Sequence, residues 1–407
     1  MATLDRNNPF QIQLFEKNVL KPYLKEYRNN TQFSKFMGGA TSIIHNIMEN
    51  KGEGDTIVFP TRQTFMPVVK RGEEQLAGDE SEITYVTDEV RISNLRFATR
   101  ITNEQLLKLQ TKAELDSDIK DDLLYQSSLL NTKRIVSQFG LAFSPTTTND
   151  RNLINFDFSY SDIATKMIAS GIDANNGAGD AVSNQRLMFG QDFRTNEATV
   201  AAVAGAANFS VGNGHTMSVK HIVRLVNLAR TGGRTANLYK ESAIRPYRVT
   251  NPHNGYADNR YILFIAPETY SYMRDNDADW RNQVIRGVIE NQYQPSMLYG
   301  SAYKGSIEGV DVIVVDEFSN FITASGNGGS LVAYSALCGA SAMGFAMGST
   351  PTFETDVRDY KMHKGIAHIE ISGLKVLKYP SKGDPKKKGI NNLLVDNGII
   401  HSFTKIN

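Results

Sequence analysis

The chain has 407 residues, of which 41% are hydrophobic and 21% are charged, and its formal net charge is +1. This composition is typical of a folded protein with a sizeable core and excludes a disordered chain, and the near-neutral charge gives no overall signal of a nucleic-acid or membrane partner. The one cysteine, Cys338, excludes an internal disulfide and favours a reducing compartment.

The first 52 residues are predicted to form an arm rather than a domain core. Apolar residues recur at roughly helical spacing in 10–27, where Pro22 interrupts the pattern, and in 33–49, where Gly38 and Gly39 interrupt it. We therefore predict an N-terminal arm, 1–52, with two short and weakly amphipathic helices.

Residues 53–101 are predicted to form a long β-hairpin. Two β-rich runs, TIVFPTRQTFMPVV (56–69) and ITYVTDEVRISNLRFATRI (83–101), flank a polar tip at 70–82. Pro60 and Pro67, inside the first run, predict a strand that is either an edge strand or bulged, because proline cannot donate to a strand ladder. An arm of about 12 residues reaches ~40 Å, whereas a compact chain of this length has a radius of gyration of only ~22 Å. The hairpin is therefore expected to protrude.

A long helix is predicted directly after the hairpin. Thr102 and Gln105 form a capping box, and apolar residues follow at helical spacing through 103–139. The acidic cluster at 116–122 leaves two possibilities open, one unbroken helix of ~55 Å or two shorter ones. Residues 143–215 are rich in Asn, Gly, Ala, Ser and Thr, which predicts loops with short elements.

The remainder of the chain mixes strands and helices, which predicts an α+β protein. One helix is predicted at 216–230 and one or two at 268–290, and strands are predicted at 260–267, 309–318 and 364–379.

One predicted strand ends in two carboxylates. The run VIVVDE (312–317) is similar to the strand and acidic pair of a nucleotide hydrolase, in which Asp316 and Glu317 would act. That chemistry also needs the phosphate-binding pattern G-x-x-x-x-G-K-[ST], and the chain contains neither Gly-Lys-Ser nor Gly-Lys-Thr. We interpret the run as a buried strand that ends in solvated carboxylates.

The sequence predicts no catalytic, cofactor or metal site. DNDAD (275–279) matches the first positions of a calcium loop, but Trp280 stands where glycine is needed and Arg286 where glutamate is needed. We interpret this stretch as a junction between helices, with Asp277 or a neighbour capping the second helix. The histidines form no metal-binding motif, and no nucleophile elbow occurs.

A basic run near the C-terminus has two interpretations. SKGDPKKKG contains Lys386, Lys387 and Lys388 in direct succession. It is either a solvated loop that charge keeps soluble or a non-specific contact with the phosphates of a nucleic acid.

Six segments, in order along the chain, carry a resemblance to a known family. They are FSKFMGGATSIIHNIMENKGEGDTIVFP (33–60), IAPETYSYMRDNDADW (265–280), GSIEGVDVIVVDEF (305–318), ALCGASAMGFAMG (336–348), DYKMHKGIAHIEISGLKVLKY (359–379) and DNGIIHSFT (396–404). Together they resemble the tailed-bacteriophage major capsid proteins grouped with the phage N4 coat protein. Glu308, Lys361 and Asn397 depart from the family's pattern, and Leu374 stands between the glycine and the lysine of another motif.

The resemblance implies the Hong Kong 97-type capsid fold, an α+β fold with an N-terminal arm, an extended β-hairpin loop, a long spine helix, and peripheral and axial domains. The expected division is an arm at 1–52, the extended loop at 53–101, a peripheral domain with the spine helix and a loop-rich insertion at 102–215, a mainly axial domain at 216–330, and a return to the peripheral sheet at 331–407.

The resemblance also implies a structural role without enzymatic activity or cofactors. The chain is expected to assemble with itself into hexamers and pentamers of an icosahedral shell around double-stranded DNA, in the cytoplasm of a bacterial host. Portal, scaffold and decoration proteins are further expected partners. No membrane partner is expected, because no apolar run reaches the ~18 residues of a membrane span. A tail-tube or decoration protein, and less so a nucleotide hydrolase, are the alternatives.

From the same role we expect the charged residues of the hairpin to lie between subunits and the basic run to lie inside the shell. A two-stranded ribbon is only marginally stable alone, and its edges invite pairing, so a neighbouring copy is expected to cover the protruding hairpin. Lys386, Lys387 and Lys388 are expected to face the packaged genome. The residues expected to make contacts between subunits are Lys70, Arg71, Glu73, Glu74, Asp79, Glu80 and Glu82.

Overall fold

The computed structural model of the chain describes residues 33–62, 85–102, 112–141, 187–189, 216–231, 243–250, 257–282, 302–324, 331–358, 363–380 and 394–406. Within these ranges the protein is α+β, as predicted. The strands are β1 (Met37–Gly38), β2 (Ile44–Met48), β3 (Thr56–Arg62), β4 (Tyr85–Arg91), β5 (Ser93–Thr102), β6 (Leu187–Phe189), β7 (Tyr247–Thr250), β8 (Ala257–Ile265), β9 (Tyr303–Ile307), β10 (Val310–Val314), β11 (Thr323–Ala324), β12 (Leu331–Cys338), β13 (Met343–Arg358), β14 (His363–Val376), β15 (Lys378–Pro380), β16 (Leu394–Asp396) and β17 (Ile399–Lys405). The helices are α1 (Lys112–Leu141), α2 (Val219–Thr231) and α3 (Pro267–Asn276), and 3₁₀ turns lie at Ser34–Phe36 and Asp316–Phe321.

The first sheet has five strands in the order β1-β2-β13-β14-β5. The long strands β13 and β14 pair antiparallel at its centre, β2 pairs parallel with β13, and β5 pairs antiparallel with β14. Along β14, Ile366, His368 and Glu370 are buried while the residues between them are half-buried, which is the alternation expected of a sheet with one covered face. Helix α1 packs against this covered face through Arg134, which binds Glu370.

Helix α1 confirms the long helix predicted after the hairpin. It runs unbroken for 30 residues, or ~45 Å at 1.5 Å per residue. The acidic cluster at 116–122 does not interrupt it. Ile135, Val136 and Phe139 bury one side, whereas Tyr125 on the other side is 67% exposed. The helix therefore spans a long distance along the subunit with one face in the core.

The second sheet has eight strands in the order β6-β17-β12-β8-β10-β9, with β11 on β12 and β7 on β8. Residues 261–266 are all buried, as expected of a strand covered on both faces. On one face, Leu263 belongs to a cluster with Leu225 of α2. On the other, the rings of Phe264 and Phe139 lie 6.0 Å apart, so α1 covers that face.

Strands from both sides of residue 330 pair in one sheet, although we expected the axial domain to end at that residue. β12 and β17 lie in the eight-stranded sheet beside β8, whereas β13 and β14 form the centre of the five-stranded sheet. The segment 331–407 thus contributes strands to both sheets. The division of the chain into the five predicted domains stays a prediction.

The helix predicted at 33–49 is wrong. The described chain begins with a short 3₁₀ turn and then forms β1 and β2, and β2 pairs with five residues of β13 from Met343 to Met347. β-Branched residues such as Ile43, Ile44 and Ile47 favour a pleated surface, and a long-range partner strand decided their conformation.

The helix junction at 275–279 is confirmed, because α3 ends at Asn276 and a further helix begins at residue 278. Asp277 accepts hydrogen bonds through Oδ1 from the backbone N of Asp279 at 2.9 Å and of Trp280 at 3.4 Å. Its Oδ2 accepts from the backbone N of Val219 at 2.7 Å, at the start of α2. One carboxylate therefore caps two helices, which explains an acidic cluster here without a cation.

Candidate assembly site at the base of the hairpin

The predicted contact residues of the hairpin tip, Lys70 to Glu82, and the basic residues Lys386 to Lys388 lie outside the described residues. The structure instead describes the hairpin base, which is the ribbon of β3 and β4. These strands pair antiparallel in continuous register from Thr56 opposite Arg91 to Arg62 opposite Tyr85. β3 pairs only with β4 among the described strands, so Pro60 lies on an edge strand, as predicted.

One face of the hairpin base is apolar and buried. Ile57, Phe59 and Val90 are each at most 1% exposed, whereas Val58, which points the other way, is 40% exposed. The buried side chains pack with Ile92 against a small apolar cluster on the five-stranded sheet, formed by Ala346, Leu377, Ile47 and Ile371. The ribbon therefore has a fixed seat on the sheet.

Two glycines allow the ribbon to approach the sheet closely. A Cβ at Gly344 would lie 2.9 Å from the side chain of Leu377 and 3.2 Å from the ring of Phe59. A Cβ at Gly373 would overlap the backbone carbonyl of Arg91. Larger residues at either position would lift the hairpin base from its seat.

A carboxylate fixes the ribbon from the side. Asp88 Oδ1 accepts a hydrogen bond from Lys375 Nζ, and its Oδ2 accepts from the backbone N of Lys378 at 2.8 Å. Lys375 Nζ also donates to the backbone carbonyl of Glu89 at 3.0 Å. Asp88 and Lys375 are 15% and 16% exposed, so water screens the pair only in part. These contacts join β4 to the end of β14.

The Asp88 contacts were not found from the sequence, although a signal was present. Side chains alternate along a strand, so Asp88 shares a face with Val90, and a carboxylate on an otherwise apolar face requires a cation or donors. The signal does not name the partner, because Lys375 lies 287 positions away along the chain.

A buried ion pair connects helix α1 to the same sheet. Arg134 Nη1 lies 3.1 Å from Glu370 Oε1, and Arg134 Nη2 donates to Ser372 Oγ at 3.1 Å. Glu370 also lies 3.3 Å from His368 Nε2, and Phe97 of β5 stacks on the His368 ring. All of these charged groups are at most 1% exposed, so the network orients the helix on the sheet and is closed to substrates.

A second network has the residue types of a catalytic relay, but it is buried where no substrate could reach it. Tyr334 OH lies 2.7 Å from His401 Nδ1, and His401 Nε2 lies 3.0 Å from Asp396 Oδ2. A carboxylate only accepts, so His401 donates to Asp396 from Nε2. The three side chains are at most 2% exposed, and burial raises the pKa of Tyr334 well above its ordinary value. The cluster is a polar part of the core.

The prediction of two solvated carboxylates at the end of the run 312–317 is confirmed for Asp316 and is wrong for Glu317, whose Oε2 is buried. β10 ends at Val314, and a 3₁₀ turn begins at Asp316, which is exposed. Glu317 is half-buried, and the nearby Ser319 donates to Glu268 at 2.9 Å. Across the described part of the chain, His, Cys, Asp and Glu form no group of three or more that could hold a metal ion. No helix there is long and apolar enough to cross a membrane.

Comparison with known proteins identifies the family. The sequence model of the phage capsid protein family matches residues 10–401, so the chain belongs to that family. It is a structural, major capsid protein of a phage. A search of curated proteins finds no match.

Solved capsid structures share the fold. The chain is similar to the capsid of Ralstonia phage GP4, with 18% identity over 91% of this chain and 89% of that chain and a TM-score of 0.62. It is also similar to the capsid of cyanophage Pam1, with 16% identity, 93% of each chain and a TM-score of 0.59. A third similar structure is the capsid of Helicobacter pylori bacteriophage KHP30, with 14% identity, 92% of this chain and 91% of that chain and a TM-score of 0.53.

Proposed function

We propose that the chain is an N4-type coat protein with the Hong Kong 97-type fold, which assembles into hexamers and pentamers of an icosahedral shell around double-stranded DNA. In this proposal, 1–52 is the arm, 53–101 the extended loop, 102–215 the peripheral domain with spine helix α1, 216–330 mainly the axial domain, and 331–407 the return to the peripheral sheet. Assembly takes place in the host cytoplasm, where portal, scaffold and decoration proteins join the shell.

The observation that carries the proposal is the seat of the hairpin base. Ile57 and Phe59 are buried against the five-stranded sheet, and Asp88 binds Lys375, so the hairpin base is held in one orientation on its own subunit. The tip at 70–82 then meets a neighbouring copy, with its charged residues between subunits. A rigid base supports this role, because a flexible loop would lose conformational entropy each time it formed a contact between subunits.

The genome contact is proposed for Lys386, Lys387 and Lys388. Three successive lysines with no acidic residue between them suit the phosphate backbone of packaged DNA, which is bound without sequence preference. The contact is non-specific and depends on salt.

Electron microscopy of the purified and concentrated full-length chain tests the proposal. Shells or sheets of hexamers support it. Rods or rings would instead indicate a tail-tube protein, and discrete monomers that turn over nucleotides would indicate a hydrolase built on Asp316 and Glu317. The double variant Asp316→Ala/Glu317→Ala is the control, because it should leave the particle yield and any background ATPase unchanged.

A further inference from the structure

Strand β5 leaves one edge of the five-stranded sheet open. It is the last strand in the order β1-β2-β13-β14-β5, and no described strand pairs with its other side. Its ten residues pair with β14 without a register shift, from Ser93 opposite Ser372 to Thr102 opposite His363. Strands commonly have about 5–6 residues, so this is a long and regular edge.

The exposure of the side chains agrees with an open edge. From Ser93 to Thr99, all seven residues are half-buried or exposed. On the neighbouring strand β14, His368, Glu370 and Ser372 are fully buried. Within the described part of the subunit, β14 is therefore more completely covered than β5, from which Thr99 Oγ1 donates to Asp122 Oδ2 of α1 at 3.1 Å.

This edge lacks the features that usually prevent strands from pairing between molecules. Edge strands are commonly short, bulged or interrupted by proline. At the opposite end of the sheet, β1 has only 2 residues, and the hairpin strand β3 contains Pro60. β5 contains neither proline nor glycine and shows no bulge against β14. Among these described strands, β1 and β3 carry such features and β5 does not.

We infer that the open edge of β5 pairs, main chain to main chain, with an extended strand of a second copy of the chain. The inference rests on the proposed function, because assembly supplies the second copy at a fixed position. Only Ile92 separates β5 from β4, so the edge of β5 continues directly from the hairpin base. The tip of the same hairpin is proposed to reach the neighbouring copy. Backbone pairing at a sheet edge gives affinity without a particular side-chain sequence.

The charges of β5 decide which strand of the second copy is suitable. Its sequence, SNLRFATRIT, contains two arginines, Arg96 and Arg100, and no acidic residue. Pairing β5 with β5 of the second copy would bring these like charges onto one small sheet, which is unfavourable. The contact is therefore between different strands of the two copies, and the partner strand carries carboxylates. Such a head-to-tail contact is the kind that builds rings of subunits.

Hydrogen–deuterium exchange tests the pairing directly, with the full-length chain compared before and after assembly. In an edge strand, alternate backbone N–H groups face away from the sheet, so about half of the amides in peptides covering 93–102 should exchange rapidly in the unassembled subunit. In shells, these rapid amides should become protected, as those facing β14 already are. Intact shells in which the rapid half persists would overturn the inference alone. Failure to form shells or capsomers would overturn the proposed function as well.

A matched pair of variants separates the edge from the face of the sheet. Ala98 on β5 lies directly opposite Ala367 on β14, on the same face, one strand further in. Ala98→Glu places a carboxylate beside Arg96 on the edge, where it would face the carboxylates of the partner strand, and should lower the shell yield by about tenfold or more, because the repulsion recurs at every contact. Ala367→Glu should assemble nearly as the unchanged protein does. Equal losses for both variants, or none for Ala98→Glu, would contradict strand pairing at this edge.

Discussion

Arg134 of α1 and Glu370 of β14 form an ion pair inside the core, with Nη1 and Oε1 3.1 Å apart and both side chains at most 1% exposed. A pair this deeply buried contributes little net stability, because the loss of hydration offsets the attraction, but removing one partner leaves a buried charge without compensation. The pair therefore fixes how the long helix lies on the sheet that carries the hairpin base.

We expect Arg134→Met to lower the free energy of unfolding by ~3–5 kcal/mol, because Glu370 would keep its charge in an apolar setting. Urea denaturation of the unassembled subunit measures this. Lys133→Met is the matched control on the neighbouring, half-buried position and should change the free energy by less than about 0.5 kcal/mol.

The double variant Arg134→Met/Glu370→Gln tests the cause of that loss. With the carboxylate neutralised, most of the stability lost in the single variant should return. A double variant no more stable than Arg134→Met would show that helix packing, and not the uncompensated charge, causes the effect.

A second prediction concerns Asp88, which joins the hairpin base to β14. Asp88→Asn removes the ionic contact with Lys375 while an amide oxygen can still accept from the backbone of Lys378. The free energy of unfolding should fall by ~1 kcal/mol, since the pair is mostly withdrawn from water. The loss of shells should be larger than this suggests, because the proposed contact of the hairpin tip recurs throughout the shell and depends on the direction of the hairpin.

Glu89→Gln provides the control for Asp88→Asn. It neutralises an exposed carboxylate at the next position of β4 and leaves the carboxylate of Asp88 in place. Electron microscopy gives the particle yield, and urea denaturation gives the stability. If both variants assemble equally well, the Asp88 contacts do not direct the hairpin.

A third prediction concerns the thiol of Cys338, which is fully buried in β12. Burial raises its pKa far above the ordinary value of 9.0, so the folded protein keeps the proton to higher pH than the unfolded chain does. The thiol should not react with an aromatic disulfide reagent until the subunit unfolds. Its contribution to stability is complete below about pH 9 and falls as the pH rises further, because the unfolded state then releases the proton first.

The difference in unfolding free energy between the natural chain and Cys338→Ala measures this pH dependence. The difference should be constant at neutral pH and should shift against the natural chain above about pH 9. Rapid labelling of the folded protein at neutral pH would contradict the prediction.

Local patterns were enough to predict the elements in which one period repeats many times. The apolar spacing of α1 and the alternation of β14 are such patterns, and the polar tip between two β-rich runs predicted the hairpin. The segment 33–49 was predicted wrongly because its conformation depends on β13, about 300 residues further along the chain. The contact between Asp88 and Lys375 was not predicted for the same reason, since no local pattern joins residues so far apart in sequence.

A fourth prediction concerns the basic run. Charge reversal of Lys386, Lys387 and Lys388 to glutamate should spare the assembly of empty shells and lower the thermal stability of DNA-filled particles, because like charges would face the phosphates. Melting of filled and empty particles at two salt concentrations measures this, and the deficit should shrink at high salt. Equal losses in filled and empty particles would place the run in a structural or external position.

The fifth prediction is that the hairpin tip serves assembly and not folding. Residues 70–82 contain one large apolar residue, Leu76, and a mixture of charges, so they can bury little within their own subunit. Exposed ion pairs are each worth only ~0–1 kcal/mol, but they recur at every contact of a closed shell. Replacing 70–82 with a short Gly-Ser turn should leave a soluble subunit with a nearly unchanged circular dichroism spectrum and melting temperature, and should abolish shells or stop assembly at isolated capsomers.

Two results would contradict this assignment of the tip, and they differ in meaning. A shortened chain that cannot fold would show that the tip belongs to the core of its own subunit, even though the hairpin base already has a complete apolar seat in Ile57, Phe59, Val90 and Ile92. A shortened chain that folds and still builds normal particles would show that neighbouring subunits hold each other elsewhere. In that case the open edge of β5, which the replacement leaves intact, would be the first contact to test.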